Sequence, residues 1–299
     1  MRNPFALPSM PPWMERPTAL GRATKGLALA IICALVLYPF VLAIGTSLAP
    51  ADELIKHGGW VLLPDRPTLE AYRVLLSGGV VTRAAVVTVG ITVCGTAISM
   101  VATIMLAYGL SRSGSAGSKP ILLMILGTFL FTPGIIPGYL MVKQLGLLDT
   151  YGALILPVAL NAFNVIVVRQ FFMNVPGELL DAARMDGAGD LTILRKVILP
   201  LSKAVIAVVG LFYAVGYWNA FFNAMLYVQS DKYPLQMILR SYIIEAGQMN
   251  GGDLGLAKLP PDQAIKMAVL VIAVGPIICV YPFLQKYFVK GVLTGAIKG

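Results

Sequence analysis

Charge is what this sequence has least of. Of its 299 residues only 12% are Asp, Glu, Lys or Arg, while 58% are hydrophobic and the mean hydropathy is +0.80. A soluble globular domain carries about a quarter charged residues, so that class is excluded and a chain embedded in lipid remains. Histidine is nearly absent: His57 stands alone in a polar loop, where it makes neither a metal site nor a catalytic dyad. The three cysteines, Cys33, Cys94 and Cys279, all lie in apolar runs, and no pair has the spacing of a metal knuckle, so they read as small apolar filler. There is no GxxxxGK[ST] phosphate loop, no HExxH and no GxSxG. The chain therefore does not hold ATP in the phosphate-loop manner and has no hydrolytic motif. Its basic residues are dispersed among loops, which argues against a nucleic-acid surface.

What is present is a set of six windows without Asp, Glu, Lys, Arg or His: 26–48, 84–111, 120–142, 150–168, 204–230 and 267–285. A helix of about 20 residues crosses the roughly 30 Å of hydrocarbon, and the runs are too long and too uniform for barrel strands. The expected fold is all-α and polytopic, with six transmembrane helices and both termini on one side. Lys and Arg give the side. The Pro-rich arm 1–25 carries Arg2, Arg16, Arg22 and Lys25 against Glu15 alone; Arg112 and Lys119 sit between windows two and three; Lys286, Lys290 and Lys298 lie in the tail 286–299. These regions are expected in the cytoplasm, and the first window reads as a retained span, not a cleaved signal.

The windows are not featureless. Thr88, Thr92, Thr96, Ser99 and Thr103 recur at helical steps on one face of window two. They suit close helix packing better than a polar path, because hydroxyls are cheap to bury. Pro133-Gly134 and Pro137-Gly138 predict a kink or interruption in window three, either satisfied by neighbouring helices or facing a wet pathway. Asn161 and Asn164 share a face with Pro157 in window four. Asn219 and Asn223 fall one i, i+4 step apart in window five, with Gly216 and Phe212 on the same side and Tyr213 and Tyr217 about a third of a turn away. Amides in hydrocarbon need partners. They face either other helices or a cavity in which amides bond hydroxyls and rings cover sugar faces. No window holds an ionised side chain, which disfavours a stand-alone secondary carrier or channel for a neutral solute, since ion-coupled carriers use such groups.

The one long charged stretch between windows lies in the segment 174–200. Pro176 is placed to start a helix, Glu178 and Asp181 favour its first turns, and Leu179, Leu180, Ala182, Ala183 and Met185 give it an apolar side. Asp186-Gly187 ends it through a left-handed glycine, and Asp190 is expected to cap a second helix running to Pro200. An apolar side on an aqueous helix covers either a partner or the protein's own spans.

Asp181-Ala182-Ala183, Gly187, Val197 and Leu199-Pro200 have the spacing of the EAA loop, and with it this chain resembles the permease subunits of binding-protein-dependent ABC importers. Asp and Val stand where Glu and Ile are more usual. The stretches 138–157, 217–228 and 285–299 resemble the second permease of maltose-type and polysaccharide-type sugar importers, and 47–75 is similar to the alginate-oligosaccharide subgroup. The resemblance implies a type I importer fold with a permease domain over 26–290. It implies a homologous second permease (a heterodimer), two ATPase subunits that hold ATP and Mg while this non-catalytic chain holds no cofactor, an extracytoplasmic solute-binding protein, and a carbohydrate substrate. It also implies that Glu178–Gly187 docks on an ATPase, with Gly291, Thr294, Gly295 and Lys298 of the tail reaching the same subunit.

Overall fold

The computed structural model describes residues 18–77, 79–112, 114, 117–131, 133–244 and 262–296, all of them helical or connecting. Thr18 caps α1 (Ala19–Leu48), its Oγ1 accepting the Gly21 N–H at 3.1 Å. The last seven residues of the expected arm are thus helix, and the first seventeen lie outside the described residues. Then come α2 (Ala51–Lys56), α3 (Glu70–Ser77) and α4 (Val80–Ser111). Helices α5 (Ser118–Leu130) and α6 (Ile135–Gln144) divide the third window. Pro133 lacks an N–H, and Gly134 at φ 84°, ψ 179° has a conformation that only glycine holds without strain. Pro137 falls in the first turn of α6, where the missing donor costs nothing.

Window four is also interrupted. Short α7 (Gly152–Ile155) and a 3₁₀ turn through Val158 meet α8 (Ala162–Met173) at a bend of 53°. After α9 (Gly177–Met185) come α10 (Asp190–Ile193), a π-helical turn Leu194–Ile198 and α11 (Leu199–Leu201), then α12 (Lys203–Trp218) at 87° to that run. Pro200 cannot donate, and the helix widens just ahead of it and breaks just after it. Window five stops at Trp218, well short of its expected end; α13 (Phe222–Tyr227) and α14 (Leu235–Ile244) follow. The last helix, α15 (Asp262–Ala296), is helical through most of the expected tail. Among the described residues three helices are long and apolar enough to cross a membrane, or five if each bent pair is one span. The break in window three falls at Pro133-Gly134, as the Pro-Gly pairs predict, whereas the sequence windows alone did not reveal that runs four and five are assembled from pieces.

Helix α4 is the axis of the fold, packing against α12, α8, α14 and α3. Its small-residue face is buried. Thr88 Oγ1 donates to the Ala84 carbonyl at 2.8 Å and accepts the Leu235 N–H at 2.7 Å, while Ser99 and Thr103 bond tyrosines of α12. This is the packing use of the stripe. Thr92 and Thr96 carry buried hydroxyls without a partner. The contacts of α4 also give a scale. Thr88 meets one end of the bundle and Tyr108 the other, where its hydroxyl donates to the Asp190 carbonyl at 3.0 Å. Twenty residues separate them, about 30 Å of helix, which is the thickness of the hydrocarbon layer.

At the Thr88 end, residues 43–77 build a cap. Thr46 Oγ1 pairs with both the N–H and the carbonyl of Val61 at 3.2 Å, and Ser47 Oγ lies 2.7 Å from Tyr72 OH. Buried Glu53 accepts the N–H groups of Asp65 and Arg66 at 3.2 and 3.1 Å. Leu54, Ala71 and Leu75 close over Trp218, Leu235 and the start of α15. Gly45 lets the loop approach α1 so closely that an added Cβ would stand 2.2 Å from the Leu62 carbonyl oxygen. Gly45→Ala should therefore displace the cap and cost about 1–3 kcal/mol. A lowered thermal midpoint in detergent checks this; an unchanged one would show that the cap does not rest on α1.

Candidate functional site

The break between α7 and α8 leaves backbone groups exposed at the middle of the bundle, and two tyrosines of α12 satisfy them. Tyr217 OH donates to the Ile155 carbonyl at 3.2 Å, and Tyr213 OH accepts the Asn161 N–H at 3.1 Å. Each hydroxyl also meets α4: Tyr217 OH lies 2.7 Å from Ser99 Oγ, and Tyr213 OH lies 2.7 Å from Thr103 Oγ1. Because the single Tyr217 proton goes to Ile155, Ser99 is the donor in its pair. Gly95 makes room for the Tyr217 ring, which would sit 2.7 Å from a Cβ there. Along α4, Ser99 is about 16 Å from Thr88 and about 14 Å from Tyr108, so this knot lies near the midplane.

A cavity of about 480 Å³ opens beside the knot. It is lined by Asn161, Asn164, Tyr213, Tyr217, Asn219 and Asn223, together with Phe163, Phe212, Phe221 and Phe222. The six residues singled out in the sequence are thus brought together, by a different route from the one expected. Asn161 is not on a helical face: it is extended (φ −106°, ψ 121°) and caps α8, its Oδ1 accepting the Asn164 N–H at 3.1 Å. Asn219 and Asn223 share no helix, since α12 ends at Trp218 and α13 begins at Phe222; the chain turns between them and both side chains still reach the cavity. The tyrosines contribute rings while their hydroxyls are engaged elsewhere. Trp218 points away, its Nε1 donating to the Ala273 carbonyl at 2.8 Å. All four phenylalanines are at least 40% exposed; Phe212 falls on the face that the sequence assigns to Asn219 and Asn223, while Phe163, Phe221 and Phe222 were missed because each lies in an ordinary apolar run. The lining carries no Lys, Arg, Asp or Glu.

Beyond the cavity, α13 is tied to the turn before α7. Asp149, at φ 57°, donates its N–H to the Tyr227 carbonyl at 2.7 Å and accepts the Gln229 N–H at 3.0 Å and Lys232 Nζ at 2.8 Å. The lysine, and then the Gln229 N–H, hold the Asp149 carboxyl below its ordinary range, and Asp149 in turn raises Lys232. Asp149 contributes above about pH 4 and Lys232 below about pH 10, so the tie persists across the range between.

At the opposite end lies the segment 174–200. Pro176 precedes α9, and Gly187 at φ 77° ends it as expected. The Ala188 N–H reaches the Ala183 carbonyl and the Gly187 N–H the Arg184 carbonyl, both at 2.9 Å, the paired bonds of a Schellman end. Leu180 and Ala183 pack on the protein's own core, whereas Glu178, Leu179, Asp181, Ala182, Met185 and Asp186 are exposed, Met185 at 89%. The apolar side is therefore split, half tucked inward and half uncovered. Asp190 does not cap: Gly189 holds that position, and the Asp190 carboxylate pairs with Arg112 at the end of α4 and accepts Tyr108 OH at 3.3 Å. The arginine depresses its pKa. Gly291, Thr294 and Gly295 lie on the last turns of α15; Lys298 lies outside the described residues. Among the described residues no cluster could hold a metal ion.

Residues 78–294 match the family described as binding-protein-dependent transport system inner membrane component. The polygalacturonan/rhamnogalacturonan transport system permease protein YtcP of Bacillus subtilis (strain 168) is 45% identical over 91% of this chain and 95% of its own length. The arabinooligosaccharides transport system permease protein AraQ of Halalkalibacterium halodurans is 26% identical over 90% and 94%. Among solved structures, a chain from a bacterial ABC transporter involved in import of the acidic polysaccharide alginate superposes with a TM-score of 0.85 at 32% identity, over 93% of this chain and all of that one.

Tyr217→Phe should leave the Ile155 carbonyl and the Ser99 hydroxyl unpaired in an apolar setting, at a cost of about 1–3 kcal/mol. Thermal unfolding measures it, and a midpoint equal to the parent's would mean that the helix break is satisfied by other means.

Proposed function

This chain belongs to the family of binding-protein-dependent transport system inner membrane components, and from that premise we propose that it forms half of the pathway by which an ATP-driven importer takes up an oligosaccharide. The observation that carries the reading is the midplane cavity, where three exposed or half-buried amides and a ring of phenylalanines surround a volume of about 480 Å³. Amides bond sugar hydroxyls and rings cover the apolar faces of pyranoses. The named substrates of its relatives, polygalacturonan or rhamnogalacturonan, arabinooligosaccharides and alginate, support an oligosaccharide derived from a polysaccharide. Because the lining here is uncharged, carboxylates of a uronide would be neutralised from the other half of the pathway.

That other half is a homologous second permease, and a solute-binding protein delivers the sugar at the end that carries the 43–77 cap. Six spans result when α5 with α6 and α7 with α8 count as one crossing each and α12 crosses alone; both termini and the segment 174–200 then face the cytoplasm, in keeping with the Lys and Arg distribution. Two ATPase subunits holding ATP and Mg engage α9 through its uncovered side, Leu179, Ala182 and Met185 flanked by Glu178, Asp181 and Asp186, and the tail residues Gly291, Thr294, Gly295 and Lys298 approach the same subunits. This chain binds no cofactor; ATP-linked closure rotates α9 and shifts the balance between two packings of the bundle.

Purification of the chain with its associated subunits, followed by ATPase assays with binding protein and oligogalacturonides, tests the substrate reading: stimulation supports it, and stimulation by unrelated solutes alone contradicts it. Gly187→Val forces a β-branched residue into the left-handed region, which costs roughly 1–2 kcal/mol, and dissolves the end of α9. Uptake should be lost while the protein still inserts in the membrane; undiminished uptake would remove α9 from the coupling role.

A further inference from the structure

Two groups of bonds, one at the cytoplasmic end and one at the midplane, lie on the single helix α4. Near its cytoplasmic end, Tyr108 OH donates to both the carbonyl and the carboxylate of Asp190, and Arg112 pairs with that carboxylate while its guanidinium sits 4.9 Å over the Tyr108 ring. Two side chains, Tyr108 of α4 and Arg112 at its end, therefore grip the first residue after the Gly187-Ala188-Gly189 turn. Nine residues earlier, Ser99 holds Tyr217, and between the two Thr103 holds Tyr213. Those tyrosines form one wall of the cavity and carry the freed backbone of the α7–α8 break. Two covalent routes lead from α9 to the cavity: the N-terminal one runs through residues 174–176 into α8, whose first residues line the cavity, and the C-terminal one passes through the π-helical turn and the 87° elbow before α12. The C-terminal route is soft, because an elbow and a widened turn absorb displacement. An unbroken 32-residue helix does not.

We propose that α4 is the strut that carries movement of the α9 hairpin to the cavity, with Asp190 clasped by Arg112 and Tyr108 as its cytoplasmic joint and Ser99 and Thr103 as its joints to Tyr217 and Tyr213. These are positioning residues: none of Asp190, Arg112, Ser99 or Thr103 lines the cavity or belongs to the exposed side of α9. Displacing the hairpin moves Asp190, Asp190 pulls the end of α4, and α4 tilts both tyrosines together, so the Asn161 cap and the Ile155 carbonyl move with them. Arg169 ties α8 into the same joint, its Nε donating to the Leu110 carbonyl at 3.0 Å. The inference rests on the coupling role assigned to α9.

The test uses the complete complex in liposomes, with oligogalacturonide-loaded binding protein as the probe. ATP hydrolysed per sugar taken up is measured for the parent, Asp190→Ala, Arg112→Ala, their double variant, and Ser99→Ala with Thr103→Val. Residues on a coupling route change coupling by roughly twofold to thirtyfold. Each variant should waste ATP by a factor in that range at undiminished complex yield, and the Asp190–Arg112 double variant should be no worse than either single one. The conservative Arg112→Lys should restore part of the loss. Unchanged ATP-to-sugar ratios, loss confined to complex yield, or multiplied defects in the double variant would each overturn the strut. If the parent complex itself hydrolyses ATP without regard to loaded binding protein, the coupling role of α9 has failed, and the strut with it, a result distinct from a failure of the variants alone.

Discussion

A backbone group at membrane depth must find a partner within the protein, because lipid offers none. The fold of this chain turns on how that requirement is met at one place. Window four is interrupted at the midplane, and the interruption is tolerable because Tyr213 and Tyr217 bring hydroxyls to Asn161 N–H and the Ile155 carbonyl. The same hydroxyls bond Thr103 and Ser99, so the break is fastened to α4, the axis of the fold. Without the break there would be no extended Asn161 to cap α8, and the cavity that Asn161, Asn164, Asn219 and Asn223 share would be filled by continuous helix.

The asymmetry of the two ends follows from α4. At its N-terminal end Thr88 is bonded to Leu235, and the nearby cap over 43–77 buries Glu53 against backbone N–H groups and closes over Trp218. Around α4, that end is held by hydroxyl and carboxylate bonds to backbone groups within an apolar cluster. At its C-terminal end the contacts are ionic and exposed, with Asp190 three-quarters accessible. An exposed ion pair contributes little to stability, but it fixes direction and can be made and broken without opening the core, which suits a joint better than a girder.

Much of this was legible in the sequence, and the limits are physical. Charge-free windows gave the apolar segments, and the residue types in the segment 174–200 gave α9, its start at Pro176 and its end at Gly187, because a left-handed glycine and a helix-starting proline act locally. The hydroxyl stripe on α4 was correctly assigned to packing. What local rules could not give was partnership across the bundle. Asp190 has the chemistry of a cap, yet Arg112, seventy-eight residues away, takes its carboxylate. Asn219 and Asn223 were grouped for a helical reason that does not hold, and they still meet because α12 ends between them. Phe163, Phe221 and Phe222 were invisible because hydropathy does not distinguish a ring facing lipid from one facing a cavity.

Family membership and the cavity converge on the same task, and the account stands or falls at the midplane. A cryo-electron microscopy structure of the complex in lipid, with an oligosaccharide in transit, is the most direct measurement. It should show sugar density among Asn161, Asn164, Asn219 and Asn223, with Tyr213 and Tyr217 still bonded across the broken helix. A continuous helix through residues 150–173, or sugar passing elsewhere while this cavity is closed by packed side chains, would contradict it.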